Sequence, residues 1–339
     1  MHIYPLKINF EERIKHLDGF RGLAIILVFG YHQYCVFNNK YFLSSIFSHG
    51  DLGVNLFFLI SGFVIFMSLE KSSGFFNFIK KRYLRLFPSM LLISALYYYL
   101  FYPINIFDLI SGLTFIEPQI ILLITGINTK SISVVFWTLF VEFKFYYIVA
   151  TAYFFLSDKA GVFIGLLYLF YLASKFLNLY FSNYIFVYFY DLGKLLSFAY
   201  FSWFATGIYI YKFFNTKKIF YFYLIIIFSF LSSLHPAIQY ANIYVFLFCM
   251  TIIFLFFISF YKKNITAIFT TKFFLNFGFA SYPIYLMHYF LIPPLQNSFE
   301  KIFGFNFYFI SSFLVFFIIC TAGFLISKYY EPTFKKIFY

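Results

Sequence analysis

The sequence predicts an all-α polytopic membrane protein with about ten transmembrane helices. First, 63% of its 339 residues are apolar and 11% are charged, against about 45–50% and about 25% in soluble domains. Second, the apolar residues form runs of about 20, the length that a helix needs to cross a bilayer. Third, these runs are continuous rather than alternating, which excludes a β-barrel. Water-soluble enzymes, nucleic-acid-binding proteins and disordered chains are excluded on the same grounds.

Ten candidate spans follow one another along the chain. They cover residues 17–37, 52–69, 86–102, 132–156, 160–181, 184–211, 219–237, 241–261, 273–295 and 305–327. Residues 109–127 are also apolar, but Glu117 and Pro118 interrupt them. If this stretch crossed the membrane, every later loop would change sides.

The distribution of Lys and Arg decides between ten and eleven spans, because cytoplasmic loops are enriched in these residues. With ten spans, nineteen of them lie in cytoplasmic segments and four in outer loops. We therefore interpret residues 109–127 as a re-entrant or interfacial outer segment and expect both termini in the cytoplasm. The net charge of +13 then reflects topology rather than nucleic-acid binding.

Residues 1–339 are predicted to form a single membrane-embedded domain, with no appended soluble domain. The first 16 residues are polar and charged, so we expect no cleaved signal peptide. The three cysteines lie in apolar runs without metal-ligand spacing and are interpreted as packing residues. The histidines are scattered, and no metal site is predicted.

Ionisable residues inside predicted spans are the first candidates for function, because they are costly in lipid. They are Asp18, Arg21, His32, Glu142, Lys144, Asp191, Lys194 and His288.

The first span carries a cation and a titratable imidazole on one face. Asp18 and Arg21 are three residues apart and can form an ion pair. Arg21 and His32 are eleven residues apart, which is about three turns and roughly 16 Å along a helix. Histidine can transfer protons near neutral pH. Arg21 can equally be a topology anchor, and His32 a packed interior residue.

Arg82 and Arg85 precede the predicted third span, and Pro88 suits the first turn of its helix. Two guanidinium groups beside a positive helix end can bind phosphate. An ordinary positively charged cytoplasmic loop explains the same residues.

The fourth span contains Trp137, which fits the outer interface, and Glu142, which must pair or be protonated in lipid. Lys144 is two residues on and points elsewhere, so it is a poor partner for Glu142. Asp191 and Lys194 are three residues apart and are expected to pair with each other.

Six segments in order resemble the motifs of the acyltransferase 3 family of membrane acyltransferases. They are residues 16–24 with the later His32, residues 53–63, the RxxR element at 82–88, the W-T-L-x-x-E element at 137–146, the S-Y-x-x-Y-L-x-H element at 281–288, and Glu331-Pro332. Together they extend over nearly the full length.

The resemblance implies transfer of an acyl group, usually acetyl from acetyl-CoA, to a hydroxyl of an envelope or exported glycan. By this resemblance His32 is the catalytic histidine and Arg21 an essential partner, while Arg82 and Arg85 contact the donor phosphates. Glu142 is implied to support the active-site network. We further expect Asp18, Trp137 and His288 to be supporting residues; for His288, an interior contact and catalysis both stay open.

Two positions depart from the family pattern. Asn55 stands where many members have Asp, and Phe143 stands where many have a second Glu. Neither position should therefore carry an essential charge here. Without an appended soluble domain, we expect the chain to complete transfer alone or with a separate partner.

The expected partners are acyl-CoA as donor substrate, membrane lipid, and a glycan acceptor such as lipopolysaccharide O-antigen or exopolysaccharide. No bound cofactor and no nucleic acid are expected, and the expected location is a bacterial inner membrane. The alternative function is a transporter or flippase for a glycan or lipid-linked intermediate. Donor dependence distinguishes the two, because only an acyltransferase consumes acyl-CoA.

Overall fold

The computed structural model describes residues 15–37, 42–101, 105–181, 183–261, 267–304 and 308–338. Within these ranges the secondary structure is helical and contains no strand, which confirms the all-α class there. The α-helices are α1 Lys15–Tyr31, α2 Phe42–Phe47, α3 Gly53–Glu70, α4 Phe75–Phe101, α5 Asp108–Thr114, α6 Pro118–Thr125, α7 Trp137–Leu156, α8 Ala160–Tyr180, α9 Tyr184–Leu195, α10 Phe201–Thr216, α11 Ile219–Gln239, α12 Ile243–Ile258, α13 Lys272–Phe303, α14 Tyr308–Leu325 and α15 Glu331–Phe338. Two π-helical turns, His32–Val36 and Ile326–Tyr330, extend α1 and α14.

Several helical stretches fit an integral membrane protein. In the part of the chain that the structure describes, five are long and apolar enough to cross a bilayer: Gly50–Glu70, Phe75–Phe101, Val134–Tyr180, Ile219–Gln239 and Tyr308–Ile337. The bent pair α5 and α6 would make six if it were one span. The count of ten spans stays a prediction. So does the side of the termini, since residues 1–14 and 339 lie outside the described ranges.

The apolar stretch at 109–127 forms two short helices, α5 and α6, whose axes differ by 108°. Phe115 ends α5 in the left-handed region with φ 57°. At about 1.5 Å per residue, the eight residues of α6 extend about 12 Å, far less than the roughly 30 Å hydrocarbon core. Neither helix can cross a bilayer alone, which is compatible with the predicted re-entrant segment.

The sixth span, predicted as one helix over 184–211, is wrong as a continuous element. The structure divides it into α9 and α10, with Ser197 in the left-handed region at φ 62° and a short 3₁₀ turn after it. The Lys144 ammonium donates to the Leu195 carbonyl at 2.6 Å and to the Ser197 hydroxyl at 3.0 Å. Lys144 therefore donates hydrogen bonds to the backbone and the side chain at the break between α9 and α10.

The start of the third span was also predicted wrongly. Helix α4 begins at Phe75, and Pro88 lies in its interior instead of its first turn. An interior proline removes one backbone donor, which other groups must replace in a membrane helix. The carbonyl that loses its helical donor is that of Leu84, four residues before Pro88. The Tyr282 hydroxyl donates to the nearby Leu86 carbonyl at 3.1 Å.

The chain divides into two compact units. Unit 1 comprises Met1–Leu17, Asn55–Ile79 and Lys144–Ile268. Its core surrounds α10, whose residues from Phe201 to Phe214 are all buried. The Lys212 ammonium on α10 is 1% exposed and forms ion pairs with Glu70 at 3.1 Å and Asp158 at 2.6 Å. The two carboxylates compensate the buried cation.

The predicted pair of Asp191 and Lys194 on α9 is confirmed, with 2.9 Å between carboxylate and ammonium. Both side chains are more than half exposed, so water screens the attraction between them and the pair contributes little to the stability of unit 1.

Unit 2 comprises Asp18–Val54, Lys80–Phe143 and Phe269–Tyr339. Within it, α1 and α13 approach so closely that only glycine fits between them. A Cβ built at Gly22 would lie 2.1 Å from the Phe274 carbonyl oxygen, and one at Gly278 would lie 1.8 Å from that of Asp18. Small residues allow such contact between membrane helices. The contact places the start of α1 beside the start of α13.

We predict that Gly278→Ala destabilises the protein by about 1–3 kcal/mol, because the added methyl group must separate α1 from α13. The measurement is thermal unfolding of the detergent-solubilised protein. Gly74→Ala is the matched control, since a Cβ there meets no atom within 4 Å. Equal melting temperatures for the two variants would contradict the close contact.

Candidate active site

All eight site residues predicted from the sequence belong to unit 2 and are described by the structure. They are Asp18, Arg21 and His32 on α1 and its π-helical turn, Arg82 and Arg85 on α4, Trp137 and Glu142 on α7, and His288 on α13. The structure brings only some of them together.

His32 begins the π-helical turn that follows α1. The Phe37 amide donates to the His32 carbonyl at 3.0 Å, the i→i+5 bond of a π-helix. Such turns frequently occur at functional sites, because they rotate a side chain away from regular helical positions. The His32 ring lies near the ring of Tyr289 on α13, with 5.2 Å between centroids.

His32 contacts a second histidine directly. Nε2 of His288, whose side chain is fully buried, lies 3.1 Å from Nδ1 of His32. Nδ1 of His32 is also 2.9 Å from the Val28 carbonyl oxygen. Nδ1 of His288 is 2.7 Å from the Tyr285 carbonyl oxygen. Each imidazole therefore turns its Nδ1 towards a backbone acceptor.

These acceptors assign the ring tautomers. A carbonyl oxygen cannot donate, so each Nδ1 must carry the proton. Nε2 of neutral His288 is then an acceptor, and the Nδ1 proton of His32 is shared between it and Val28. The other ring nitrogen of His32, Nε2, then carries a lone pair. It makes no hydrogen bond to any described residue. The arrangement presents one basic nitrogen.

Two tyrosines of α13 contact the other motif segments. The Tyr285 hydroxyl donates to the Val135 carbonyl at 2.8 Å and accepts from Thr138 at 2.8 Å. Glu142, one turn further along α7, is near enough to interact electrostatically with the Tyr285 hydroxyl. Tyr282 bonds to α4, as described above. Glu142 thus lies in the network around α13.

Asp18 and Arg21 form the predicted ion pair, with 3.3 Å between carboxylate and guanidinium. Both side chains are mostly buried. Arg21 lies eleven residues before His32, or roughly 16 Å along α1. The structure therefore places Arg21 at the opposite end of α1 from the histidine pair.

Arg82 and Arg85 lie in the interior of α4, so the predicted position beside a positive helix end is wrong. Arg82 is half-buried and Arg85 is exposed. Glu331 of the C-terminal helix α15 accepts a hydrogen bond from Ser89 at 2.7 Å and interacts electrostatically with Arg85 and Lys335. The Glu331 carboxylate thus interacts with basic side chains of both α4 and α15.

Sequence reasoning assigned no role to Tyr282, Tyr285 or Ser89. The available signal was spacing, since Tyr282, Tyr285 and His288 follow one another every three residues in an otherwise apolar helix. Trp137 begins α7 and is 37% exposed. Among the described residues, no group of three or more His, Cys, Asp or Glu side chains can hold a metal ion.

Comparison with known proteins identifies related sequences. The acyltransferase 3 family model, described as an acyltransferase domain, matches residues 14–328. An O-acetyl transferase of Shigella phage Sf6 is 35% identical over 85 residues, which cover 25% of this chain and 26% of that protein. The aligned part is thus about a quarter of the length of this relative. No solved structure matches.

We predict that Tyr285→Phe lowers the free energy of unfolding by about 1 kcal/mol, because the Val135 carbonyl loses the Tyr285 donor and keeps only the longer hydrogen bond from Thr138 at 3.2 Å. Thermal unfolding in detergent measures the change. Tyr244→Phe is the matched control, since Tyr244 is 74% exposed. An unchanged melting temperature in Tyr285→Phe would show that this hydrogen bond does not stabilise unit 2.

Proposed function

The chain belongs to the acyltransferase 3 family, and on this basis we propose that it is a membrane O-acyltransferase. We propose that it moves an acyl group, acetyl in the first instance, from acyl-CoA to a hydroxyl of an envelope or exported glycan. The observation that carries the proposal is the contact between His32 and His288, which leaves Nε2 of His32 as a base.

His32 acts as the general base in this mechanism. Its Nε2 removes the proton from an acceptor hydroxyl, and the oxygen attacks the thioester carbonyl carbon. The tetrahedral intermediate collapses with cleavage of the C–S bond. The CoA thiolate leaves and takes the proton from His32, so the products are the O-acyl ester and CoA. His288 is a positioning residue that holds the tautomer of His32, as a carboxylate does in a catalytic triad.

Arg82 and Arg85 bind the donor phosphates in our proposal, because guanidinium groups form paired hydrogen bonds with phosphate oxygens. Tyr282, which contacts α4 beside Pro88, precedes His288 by six residues, or about 9 Å along α13. The thioester arm of the donor would cover this separation. Arg21 belongs to the donor side, and Glu142 supports the network around Tyr285.

We also propose that the chain crosses a bacterial inner membrane ten times, with both termini in the cytoplasm. Helices α1 and α13 run parallel, since Gly22 lies beside Phe274 and His32 beside His288. Two spans that run in the same direction are separated by an odd number of other spans, and seven spans lie between the first and the ninth. This favours residues 109–127 not crossing, because the first and ninth of ten spans then run in the same direction. Acyl-CoA approaches from the cytoplasm and the glycan from outside.

We predict that His32→Ala abolishes transfer without changing membrane abundance. We expect His288→Phe to lower kcat about ten- to hundredfold with both KM values unchanged, because it removes one of the two acceptors that orient His32. His288→Gln keeps an acceptor oxygen and should retain more activity. Labelled acetyl-CoA, incubated with membranes and envelope polysaccharide, measures each rate.

The outcomes separate the assignments. Transfer by His32→Ala at the wild-type rate would remove the base assignment and leave the enzyme. Equal activity of His288→Phe and His288→Gln would mean that His288 only fills space. No donor-dependent label with wild type would favour the transporter alternative.

We predict that replacing both Arg82 and Arg85 by Ala raises the KM for acyl-CoA at least tenfold, because each charged hydrogen bond contributes about 1.5–3 kcal/mol. The KM for polysaccharide should stay constant. Lys130→Ala, which removes a cation from a predicted outer loop, is the control. Unchanged donor saturation in the double variant would assign these arginines to topology alone.

A further inference from the structure

A second buried polar cluster begins at the residue after His32. Gln33 is 1% exposed, and its Nε2 donates to Oε1 of Gln296 on α13 at 3.1 Å. Nε2 of Gln296 donates to Oε1 of Glu300 at 2.7 Å. Ser312 of α14 lies 3.5 Å from the same Gln296 oxygen. Two amides and one carboxylate thus form a hydrogen-bonded chain within unit 2.

Glu300 fixes the direction of this chain. A carboxylate only accepts hydrogen bonds, so Gln296 must turn its NH₂ group towards it and its oxygen towards Gln33. Gln33 must then donate, which leaves its own Oε1 pointing away from the chain. This oxygen is buried and has no hydrogen-bond partner among the described residues. A buried acceptor without a donor costs about 1–3 kcal/mol, so the site lacks a proton donor.

The cluster extends from the proposed base towards the proposed acceptor side. Gln33 follows His32 directly, so their Cα atoms are about 3.8 Å apart. Gln296 lies eight residues beyond His288, or about 12 Å along α13. In the proposed topology α13 begins in the cytoplasm and ends outside, which places Gln296 and Glu300 on the outer side of the histidines, at the outer end of the ninth span.

We propose that Gln33, Gln296 and Glu300 form a subsite for the acceptor glycan, in which Oε1 of Gln33 accepts a hydrogen bond from a sugar hydroxyl. This inference rests on the proposed function. A hydroxyl is compact, uncharged and able to donate, as the orphan oxygen requires. An acyl chain cannot donate, and the negative charge of Glu300 disfavours phosphate. The covering side chains must move to admit the sugar, and the bound hydroxyl determines which neighbouring hydroxyl meets His32.

The test compares Gln33→Leu with wild type and with Gln239→Leu, a matched change at an exposed glutamine. Membranes receive labelled acetyl-CoA and increasing amounts of chemically deacetylated envelope polysaccharide. We expect Gln33→Leu to raise the KM for polysaccharide about tenfold and to leave the KM for acetyl-CoA unchanged. NMR of the product should show acetyl spread over additional hydroxyl positions. Gln239→Leu should behave as wild type.

Each outcome decides the inference. No label with wild type overturns the proposed function, and this inference with it. Wild-type transfer combined with unchanged polysaccharide KM and unchanged acetyl position in Gln33→Leu overturns the subsite alone, and indicates a buried water at the orphan oxygen. If Gln33→Leu does not accumulate, Glu300→Gln replaces it, since it keeps the size and removes the charge that orients the chain. Unchanged KM and acetyl position in that variant also overturn the subsite.

Discussion

The structure of unit 2 depends on pairing the polar side chains of α13. In lipid, each unpaired polar group costs several kcal/mol, so these side chains must find partners on neighbouring helices. Tyr282, Tyr285 and His288 are spaced by three residues and share one broad face of the helix. They contact the Leu86 carbonyl, the Val135 carbonyl and the His32 ring. One helix therefore fixes α4, the start of α7 and the π-helical turn after α1.

The register between α1 and α13 follows from two contacts of different kinds. The backbone contact at Gly278 excludes any larger side chain, and the contact between the two imidazoles requires Nδ1 and Nε2 at hydrogen-bond distance. A shift of one helix along the other by more than a few tenths of an ångström would lengthen the hydrogen bond between the two rings. The packing of α1 against α13 thus positions the proposed base, in addition to the local conformation around His32.

The sequence predicted those features that depend on local geometry. The ion pairs of Asp18 with Arg21 and of Asp191 with Lys194 were predictable because residues three apart are neighbours on any helix. The partner of His32 was not, since 256 residues separate it from His288 and no periodicity encodes that distance. The break at Ser197 was also missed, because Ser197 is neither proline nor glycine and the donor that compensates for the break, Lys144, lies in another helix.

The pairing of two neutral rings has a physical reason in a membrane. A buried carboxylate would orient His32 more strongly, but its charge would have to be removed from water at a cost of several kcal/mol. A neutral His288 fixes the same tautomer without a permanent charge. When His32 takes a proton, the new charge arises beside two acceptors that already face Nδ1, the Val28 carbonyl and Nε2 of His288. The two acceptors are therefore already in place to stabilise the transient His32 cation, and no charged group is needed in the resting state.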